Sequence, residues 1–129
     1  MKFRVAVLAA ALALAFVAPV GPATAGQVVT YDEVTTGLQK GDILLVDVRE
    51  ADEFAAGHVP GAVNMPLSRF DPRAVPRPAD KTVVVMCRSG NRSGKAAAVL
   101  AAAGRGDVVD YSGSMNDWSR RGGAIVQGQ

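Results

Sequence analysis

Two short apolar runs, at residues 43–46 and 82–86, constrain the fold of this chain more than any other feature of its sequence. The first run shows no alternation between apolar and polar residues, which is typical of a strand covered on both faces. The second is rich in β-branched residues and lies between Lys81 and a loop that contains glycine. Helical signals follow both runs, so we expect one α/β domain around a doubly wound, mainly parallel sheet with helices on both faces.

Caps and turn residues set the expected order of the elements. Thr30 and Glu33 have the spacing of a capping box and Gly41 has the position of a C-cap, so the first helix is expected to end at Lys40. Trp118 is expected on the apolar face of the last helix. Five strands are expected, at residues 28–29, 43–46, 62–65, 82–86 and 107–111. Further helices are expected at residues 50–56, 95–103 and 115–121, with an irregular connection over 67–80 and a loose tail over 122–129.

The N-terminal segment has the pattern of a secretory signal peptide. Lys2 and Arg4 precede an apolar stretch at residues 5–18, and the small residues at 23–25 predict cleavage before Gly26. An uncleaved membrane anchor is the alternative, but the apolar stretch is shorter than the roughly 20 residues that a membrane span needs. We therefore expect an exported protein, periplasmic or secreted, without stable membrane association after cleavage.

Removal of the signal peptide changes the charge balance of the chain. The full sequence has 14 Lys and Arg against 12 Asp and Glu, a formal net charge of +2, and cleavage removes Lys2 and Arg4 and brings the charge to 0. The mature chain has no basic block of the kind that binds nucleic acid. The 104 residues from 26 to 129 are enough for a single domain with a core at about 27–121, and we expect a monomer.

Cys87, the one cysteine of the chain, lies between the expected strand at 82–86 and the alanine-rich helix that follows. Free amide groups and the helix dipole at such a turn stabilise an anion, and Arg88 and Arg92 add positive charge. The thiol pKa is therefore expected to fall from about 8.5 toward or below neutrality, which predicts a nucleophile for an anionic substrate. A buried inert thiol and an intermolecular disulfide are the alternatives.

Several segments of the chain carry a resemblance to a known family. They are Leu45-Val46-Asp47-Val48-Arg49-Glu50, Glu53-Phe54, Gly57-His58-Val59-Pro60-Gly61-Ala62, Asn64-Met65-Pro66 and the loop that begins at Cys87. In this order they resemble the rhodanese family, and the resemblance extends from residue 27 to about residue 118. It implies a single rhodanese domain with a central, mainly parallel five-stranded sheet.

The resemblance also implies a chemistry. A rhodanese cysteine takes a sulfane sulfur from thiosulfate or a similar anion, becomes a persulfide, and passes the sulfur to cyanide or a thiol. By resemblance Cys87 is the catalytic residue. Asp47 and Arg49, at the end of the second strand, are expected to support the loops of the site, with direct contact to the substrate as the alternative. No metal or cofactor is expected, because one histidine and one cysteine cannot form the usual zinc site. The loop residues expected to bind the substrate are Arg88, Ser89, Gly90, Asn91, Arg92 and Ser93. Gly90 is the loop residue best suited to a positive φ.

The length of the cysteine loop separates two chemistries that are associated with this fold. Phosphatases similar to rhodaneses have five residues between the cysteine and an arginine, whereas here Arg92 is the fifth residue after Cys87 and Ser93 has the phosphatase position. A compact persulfide fits this shorter loop better than a tetrahedral dianion does. Sulfur transfer is therefore favoured over a phosphatase or arsenate reductase; a persulfide carrier that does not turn over is the other alternative.

Two further residues have open roles. His58, the single histidine, could act as a base, but its setting resembles a structural turn of the family. Rhodaneses often have paired glycines before the last helix, and here Gly113 is followed by Ser114. We expect Ser114 either to narrow the mouth of the pocket or to need a different backbone angle.

Overall fold

A computed structural model describes residues 27–129, so the expected signal peptide at residues 1–25 lies outside the described part of the chain. The strands of the described part are β1 (Ile43–Asp47), β2 (Val63–Asn64), β3 (Thr82–Met86) and β4 (Val109–Asp110). They form one parallel sheet in the order β2-β1-β3-β4. The helices are α1 (Tyr31–Lys40), α2 (Ala51–Ala56), α3 (Asn91–Ala102) and α4 (Ser114–Arg120). The expected α/β class is confirmed.

The two central strands bring the site residues to one edge of the sheet. β1 pairs with β3 over their full lengths, from Ile43 opposite Thr82 to Asp47 opposite Met86. Because parallel strands in register end at the same edge, Asp47 and Cys87 lie at the carboxyl end of the sheet. This is the edge at which open α/β sheets bind their ligands.

Helices cover both faces of the sheet, which explains why the last four residues of β3 are all apolar. Val83 and Val85 belong to a core cluster that includes Ala96, Ala97 and Leu100 of α3. Val84 and Met86 belong to a second cluster on the opposite face, with Val34 of α1 and with Met115 and Trp118 of α4. The second cluster confirms the expected core position of Trp118, which is buried.

The first and third helices begin with different N-caps. The Thr30 hydroxyl accepts a hydrogen bond from the Glu33 amide at 3.2 Å, as the capping pattern predicts, and Gly41 ends α1 with φ 73°. α3 has Gly90 as its N-cap and begins at Asn91, four residues before the expected start at 95. Asn91, Arg92 and Ser93, which the sequence analysis assigned to the loop, therefore form the first turn of α3.

The sheet of the described residues has four strands, so the expectation of five strands is corrected. Val28 makes only an isolated parallel bridge to Asp110, because β4 is two residues long and the N-cap of α1 follows at Thr30. β2 is also only two residues long, shorter than the expected strand at 62–65. The connection over 67–80 contains two short 3₁₀ turns, Leu67–Arg69 and Pro72–Ala74.

The C-terminal residues lie against the domain, in contrast to the loose tail expected over 122–129. Val126 and His58 exchange two backbone hydrogen bonds of 2.8 and 2.9 Å, and the Gly128 amide donates to the Ala55 carbonyl at 2.9 Å. The Trp118 indole also donates to the Ala124 carbonyl at 2.9 Å. Within residues 27–129 no helix is long and apolar enough to cross a membrane.

Candidate active site

The cysteine loop is shaped by one residue with a left-handed backbone. Gly90 has φ 97°, and a Cβ at this position would lie 2.3 Å from the Ser112 carbonyl oxygen. Only glycine fits both conditions. The turn aims the Gly90 amide at the Cys87 sulfur, with a nitrogen–sulfur distance of 3.0 Å.

Three polar groups surround the Cys87 sulfur. Besides the Gly90 amide, the Ser93 hydroxyl lies 3.6 Å from Sγ and the Ser114 hydroxyl lies 3.8 Å from it. Cys87, Ser93 and Ser114 have no exposed surface. The arrangement is a compact, buried cradle of hydrogen-bonding groups around a single sulfur atom.

The hydrogen bonds around the sulfur favour the thiolate form of Cys87. Burial raises the pKa of Cys87, but hydrogen bonds from the amide and hydroxyl of Ser93, the amide of Gly90 and the hydroxyl of Ser114 outweigh burial and hold the pKa below its ordinary value. The expected direction of the pKa shift is thus present. Its main cause is neutral hydrogen bonding, rather than the arginine charges that the sequence suggested.

Arg92 differs most from its expected role, because its guanidinium is already engaged. It makes a two-pronged ion pair with Glu53 of α2, with nitrogen–oxygen distances of 2.8 and 2.9 Å. Arg92 is thus correctly placed near the sulfur, whose charge contributes to the raised pKa of the guanidinium, but it links α2 to α3. Its expected binding of substrate stays a prediction, for a guanidinium whose Nη1 and Nη2 are paired with Glu53.

The remaining loop residues face outward. Arg88, Ser89 and Asn91 are exposed. Arg88 lines a cavity of about 470 Å³ beside the loop, together with Glu53, Met115 and Asn116. Arg88 is thus a cationic side chain on the wall of a cavity beside the loop.

Asp47 and Arg49 form a paired carboxylate and guanidinium at the end of β1. The Arg49 guanidinium binds the Asp47 carboxylate through Nε at 3.0 Å and Nη2 at 2.8 Å, and Nη2 also donates to the Gly57 carbonyl at 2.8 Å. Both residues are buried. The side-chain amide of Asn64 donates to the backbone carbonyls of Asp47 and Arg49 at 3.0 and 2.8 Å. The ion pair and the Asn64 side chain together fix the turn after β1.

His58 lies in a structural turn and not beside the sulfur. Its Nδ1 is 2.8 Å from the Phe54 carbonyl oxygen. The imidazole stacks on the Phe54 ring with 3.7 Å between ring centroids. Both contacts fix the ring within the α2 region.

Ser114 is the site residue whose role the sequence left open. Its φ is 55°, the left-handed value that a glycine would adopt without strain. Its hydroxyl accepts a hydrogen bond from the Cys87 amide at 3.0 Å and donates one to the Tyr111 carbonyl at 2.9 Å. Ser114 therefore keeps the left-handed angle of a glycine instead of the different backbone angle that the sequence suggested, and its hydroxyl adds a polar group to the cradle.

The start of α4 holds the other side of the loop. The Met115 amide donates to the Cys87 carbonyl at 3.0 Å, and the Asn116 amide donates to the Arg88 carbonyl at 2.9 Å. Free amides of a helix N-terminus are thus satisfied by the carbonyls of the loop. As a result, the cysteine loop is anchored by α4 as well as by α3.

Comparison with known proteins agrees with this geometry. A family model described as a rhodanese-like domain matches residues 30–121. A sulfurtransferase of Allochromatium vinosum is 41% identical over 85 residues, which are 66% of this chain and 79% of that protein. The thiosulfate:glutathione sulfurtransferase of Saccharomyces cerevisiae is 35% identical over 101 residues, covering 67% of this chain and 72% of that protein. Protein slr1261 of Synechocystis is longer: it is 39% identical over 84 residues, and the match covers 47% of its length.

A solved structure supports the same assignment. The human single-domain sulfurtransferase TSTD1 superposes with a TM-score of 0.65 and 28% identity, covering 74% of this chain and 97% of that one. The family model spans well over half of the chain and includes every element from α1 to α4. The chain therefore belongs to the rhodanese-like domain family.

Proposed function

We propose that this protein is a thiosulfate sulfurtransferase that passes a sulfane sulfur to a thiol or to cyanide through a persulfide on Cys87. The observation that carries the proposal is the buried cradle of Gly90, Ser93 and Ser114 around the Cys87 sulfur. A persulfide ends in a compact anionic sulfur, and the same donors that stabilise the thiolate suit that anion. The named sulfurtransferases among the relatives support the same class of reaction.

The reaction proceeds in two displacements at sulfur. The Cys87 thiolate attacks the outer sulfur of thiosulfate, a sulfur–sulfur bond forms to Cys87, and the bond to the sulfonate breaks so that sulfite leaves with its electron pair. A thiolate or cyanide then attacks the terminal sulfur of the persulfide, and the Cys87 thiolate is the leaving group. Donor and acceptor thus react in turn with the same cysteine, which predicts ping-pong kinetics.

Charge at the mouth of the site comes from Arg88 in this proposal. Arg88 is exposed beside the loop, whereas Arg92 is paired with Glu53. Arg88 therefore attracts the anionic donor and offsets the charge of the departing sulfite. Because Cys87 has no exposed surface, donor entry requires the exposed loop residues to move aside.

We also propose that the protein works outside the cytoplasm as a monomer. The support for export is the order of basic, apolar and small residues at 2–25. The support for a free thiol, rather than a structural disulfide, is that Cys87 is buried and is the single cysteine of the sequence.

Turnover of the mature chain tests the proposal. Residues 26–129 incubated with thiosulfate and cyanide should produce thiocyanate, and Cys87→Ser should produce none because the nucleophile is absent. A phenyl phosphate assayed in parallel should be hydrolysed far more slowly than sulfur is transferred. Full activity of the Cys87→Ser protein, or faster phosphate hydrolysis, would refute the proposal.

A further inference from the structure

Ser114 has a backbone conformation that must be held by its neighbours. Its φ of 55° lies in the left-handed region, which residues other than glycine occupy at a cost. Such a conformation persists only where the surrounding structure fixes it. The Ser114 hydroxyl is one of the three polar groups around the Cys87 sulfur. The groups that fix Ser114 therefore also fix part of the cradle.

Tyr111 holds Ser114 directly, through its backbone carbonyl. This carbonyl accepts hydrogen bonds from the Ser114 amide at 3.1 Å and from the Ser114 hydroxyl at 2.9 Å. The two bonds fix both the backbone and the side chain of Ser114 relative to one oxygen atom. In that position the hydroxyl oxygen accepts the Cys87 amide proton at 3.0 Å and lies 3.8 Å from the sulfur.

Tyr111 is itself fixed at two points. Its amide donates to the Val85 carbonyl of β3 at 2.9 Å. Its hydroxyl donates to Asp117 Oδ2 at 2.7 Å, a short distance that is typical of a charged acceptor. The residue is buried, with 1% of its surface exposed. Tyr111 therefore connects β3 to Asp117 on α4, and its carbonyl has little freedom to move.

Asp117 lies on α4, three residues after Ser114. The hydrogen bond from Tyr111 is the main cause that holds the pKa of Asp117 below its ordinary value, and Arg121 and Arg120 add to this effect by donating to Oδ1 at 2.9 and 2.8 Å. Burial raises the pKa of Tyr111, and the bond to Asp117 raises it further. At neutral pH the phenol is thus the donor and the carboxylate is the acceptor.

Gly113 leaves room for the Asp117 side chain. A Cβ at Gly113 would lie 2.7 Å from Asp117 Cβ and 2.9 Å from its Oδ2. The Asp117 amide also donates to the Gly113 carbonyl at 3.1 Å. Asp117 is therefore packed against the residue that precedes Ser114, as well as bonded to the residue that holds Ser114.

We propose that Tyr111 and Asp117 are positioning residues for the cysteine site. Asp117 holds the Tyr111 hydroxyl, and the Tyr111 carbonyl holds Ser114 in the left-handed conformation that places its hydroxyl at Cys87. Once this support is removed, Ser114 relaxes toward a less strained backbone and its hydroxyl moves away from the sulfur. The proposal rests on the proposed function only in that Cys87 is the nucleophile.

The pH titration of the Cys87 thiolate tests this proposal. Thiolate absorbance in the ultraviolet is measured for each variant, and the same variant with Cys87→Ser is the baseline, which subtracts the ionisation of tyrosine. Tyr111→Phe and Asp117→Ala should each raise the midpoint by about 0.5 pH unit, because a hydrogen bond to the thiolate is weakened. Asp117→Asn keeps an oxygen that accepts from Tyr111, so it should raise the midpoint less.

The Ser114→Ala protein separates positioning from a general loosening of the fold. If Tyr111 acts through the Ser114 hydroxyl, Tyr111→Phe should shift the midpoint no further once that hydroxyl is absent. An equal shift in the serine and alanine proteins would overturn the proposal. So would an unchanged midpoint in Tyr111→Phe, a variant that loses a single oxygen atom and keeps the aromatic ring in the core.

Tyr31→Phe is the matched control. Tyr31 packs against the core cluster that contains Tyr111, and its ring centroid lies 5.0 Å from that of Trp118. Loss of the Tyr31 hydroxyl should leave the midpoint unchanged, and a shift as large as that of Tyr111→Phe would also contradict the proposal. Since the titration needs no sulfur donor and no turnover, the positioning role and the sulfur-transfer reaction can fail independently.

Discussion

Ser114 shows how one residue can carry both strain and function. Its left-handed backbone, with φ 55°, costs about 1 to 2 kcal/mol relative to glycine. Its hydroxyl offsets this cost by satisfying the buried Cys87 amide and the Tyr111 carbonyl. The same hydroxyl is one of the groups that lower the pKa of the Cys87 thiol. A glycine at this position would relieve the strain but would leave the sulfur with fewer donors.

Replacement of Ser114 should separate these two effects. Ser114→Ala keeps the strain and leaves the buried Cys87 amide unsatisfied, so the free energy of unfolding should fall by about 1 to 3 kcal/mol. Ser114→Gly loses the same hydrogen bonds but regains about 1 kcal/mol from the relaxed backbone. The thiol pKa should rise in both variants. Urea unfolding and ultraviolet titration measure these quantities.

Ser119→Ala provides the control for Ser114, since Ser119 is an exposed serine on the same helix. Its free energy of unfolding and its thiol pKa should match those of the unsubstituted protein. Equal stability of the alanine and glycine variants at residue 114 would show that the left-handed backbone carries no cost there.

Among the elements, α2 and α3 are joined by the ion pair of Glu53 and Arg92. The pair spans 39 positions of sequence and fixes the first turn of α3, where Ser93 contacts the sulfur. The hydrogen bond from Arg92 holds the pKa of Glu53 below 4.5, its ordinary value. A depressed carboxyl pKa contributes stability that is present above the unfolded pKa and is lost as the pH falls through the folded pKa.

Glu53→Gln should therefore destabilise the protein in a pH-dependent way. At pH 7 the free energy of unfolding should fall by about 0.5 to 1 kcal/mol, a modest loss because both side chains are about one-third exposed. The difference from the unsubstituted protein should shrink below pH 4.5 and vanish once Glu53 is protonated in the folded state. Urea unfolding at a series of pH values measures it.

The exposed pair of Asp71 and Arg73 serves as the control for Glu53. Asp71→Asn should leave the stability at pH 7 nearly unchanged, because a solvent-exposed ion pair contributes little. A loss in Glu53→Gln that stays constant down to pH 2 would mean that the ion pair is not its cause.

Across the whole molecule, the central part of the fold was the part most accessible to prediction. β3 was expected with its observed bounds, and β1 was expected to within one residue, because buried parallel strands read as continuous apolar runs. β2 and β4 were expected at 62–65 and 107–111 but are each only two residues long, so the apolar runs overestimated their lengths. The start of α3 was misplaced because Asn91, Arg92 and Ser93 resemble loop residues, although they form its first turn.

The sequence predicted only those features of the site that depend on a few neighbouring residues. Gly90 was identified because a tight turn before a helix needs a positive φ. The partner of Arg92 could not be identified, because Glu53 becomes its neighbour only once α2 and α3 are packed. The hydroxyl of Ser114 reaches the cradle from the first residue of α4, 27 positions after Cys87, and no spacing in the sequence reports that contact.

The mass of the mature protein after exposure to thiosulfate tests the central claim most directly. The account predicts an increase of about 32 Da, one sulfur atom, located on the peptide that contains Cys87 and removed when cyanide or a thiol is added. Cys87→Ser should gain no mass under the same conditions. An unchanged mass of the unsubstituted protein during active turnover, or a sulfur adduct that neither cyanide nor a thiol removes, would contradict transfer through a Cys87 persulfide.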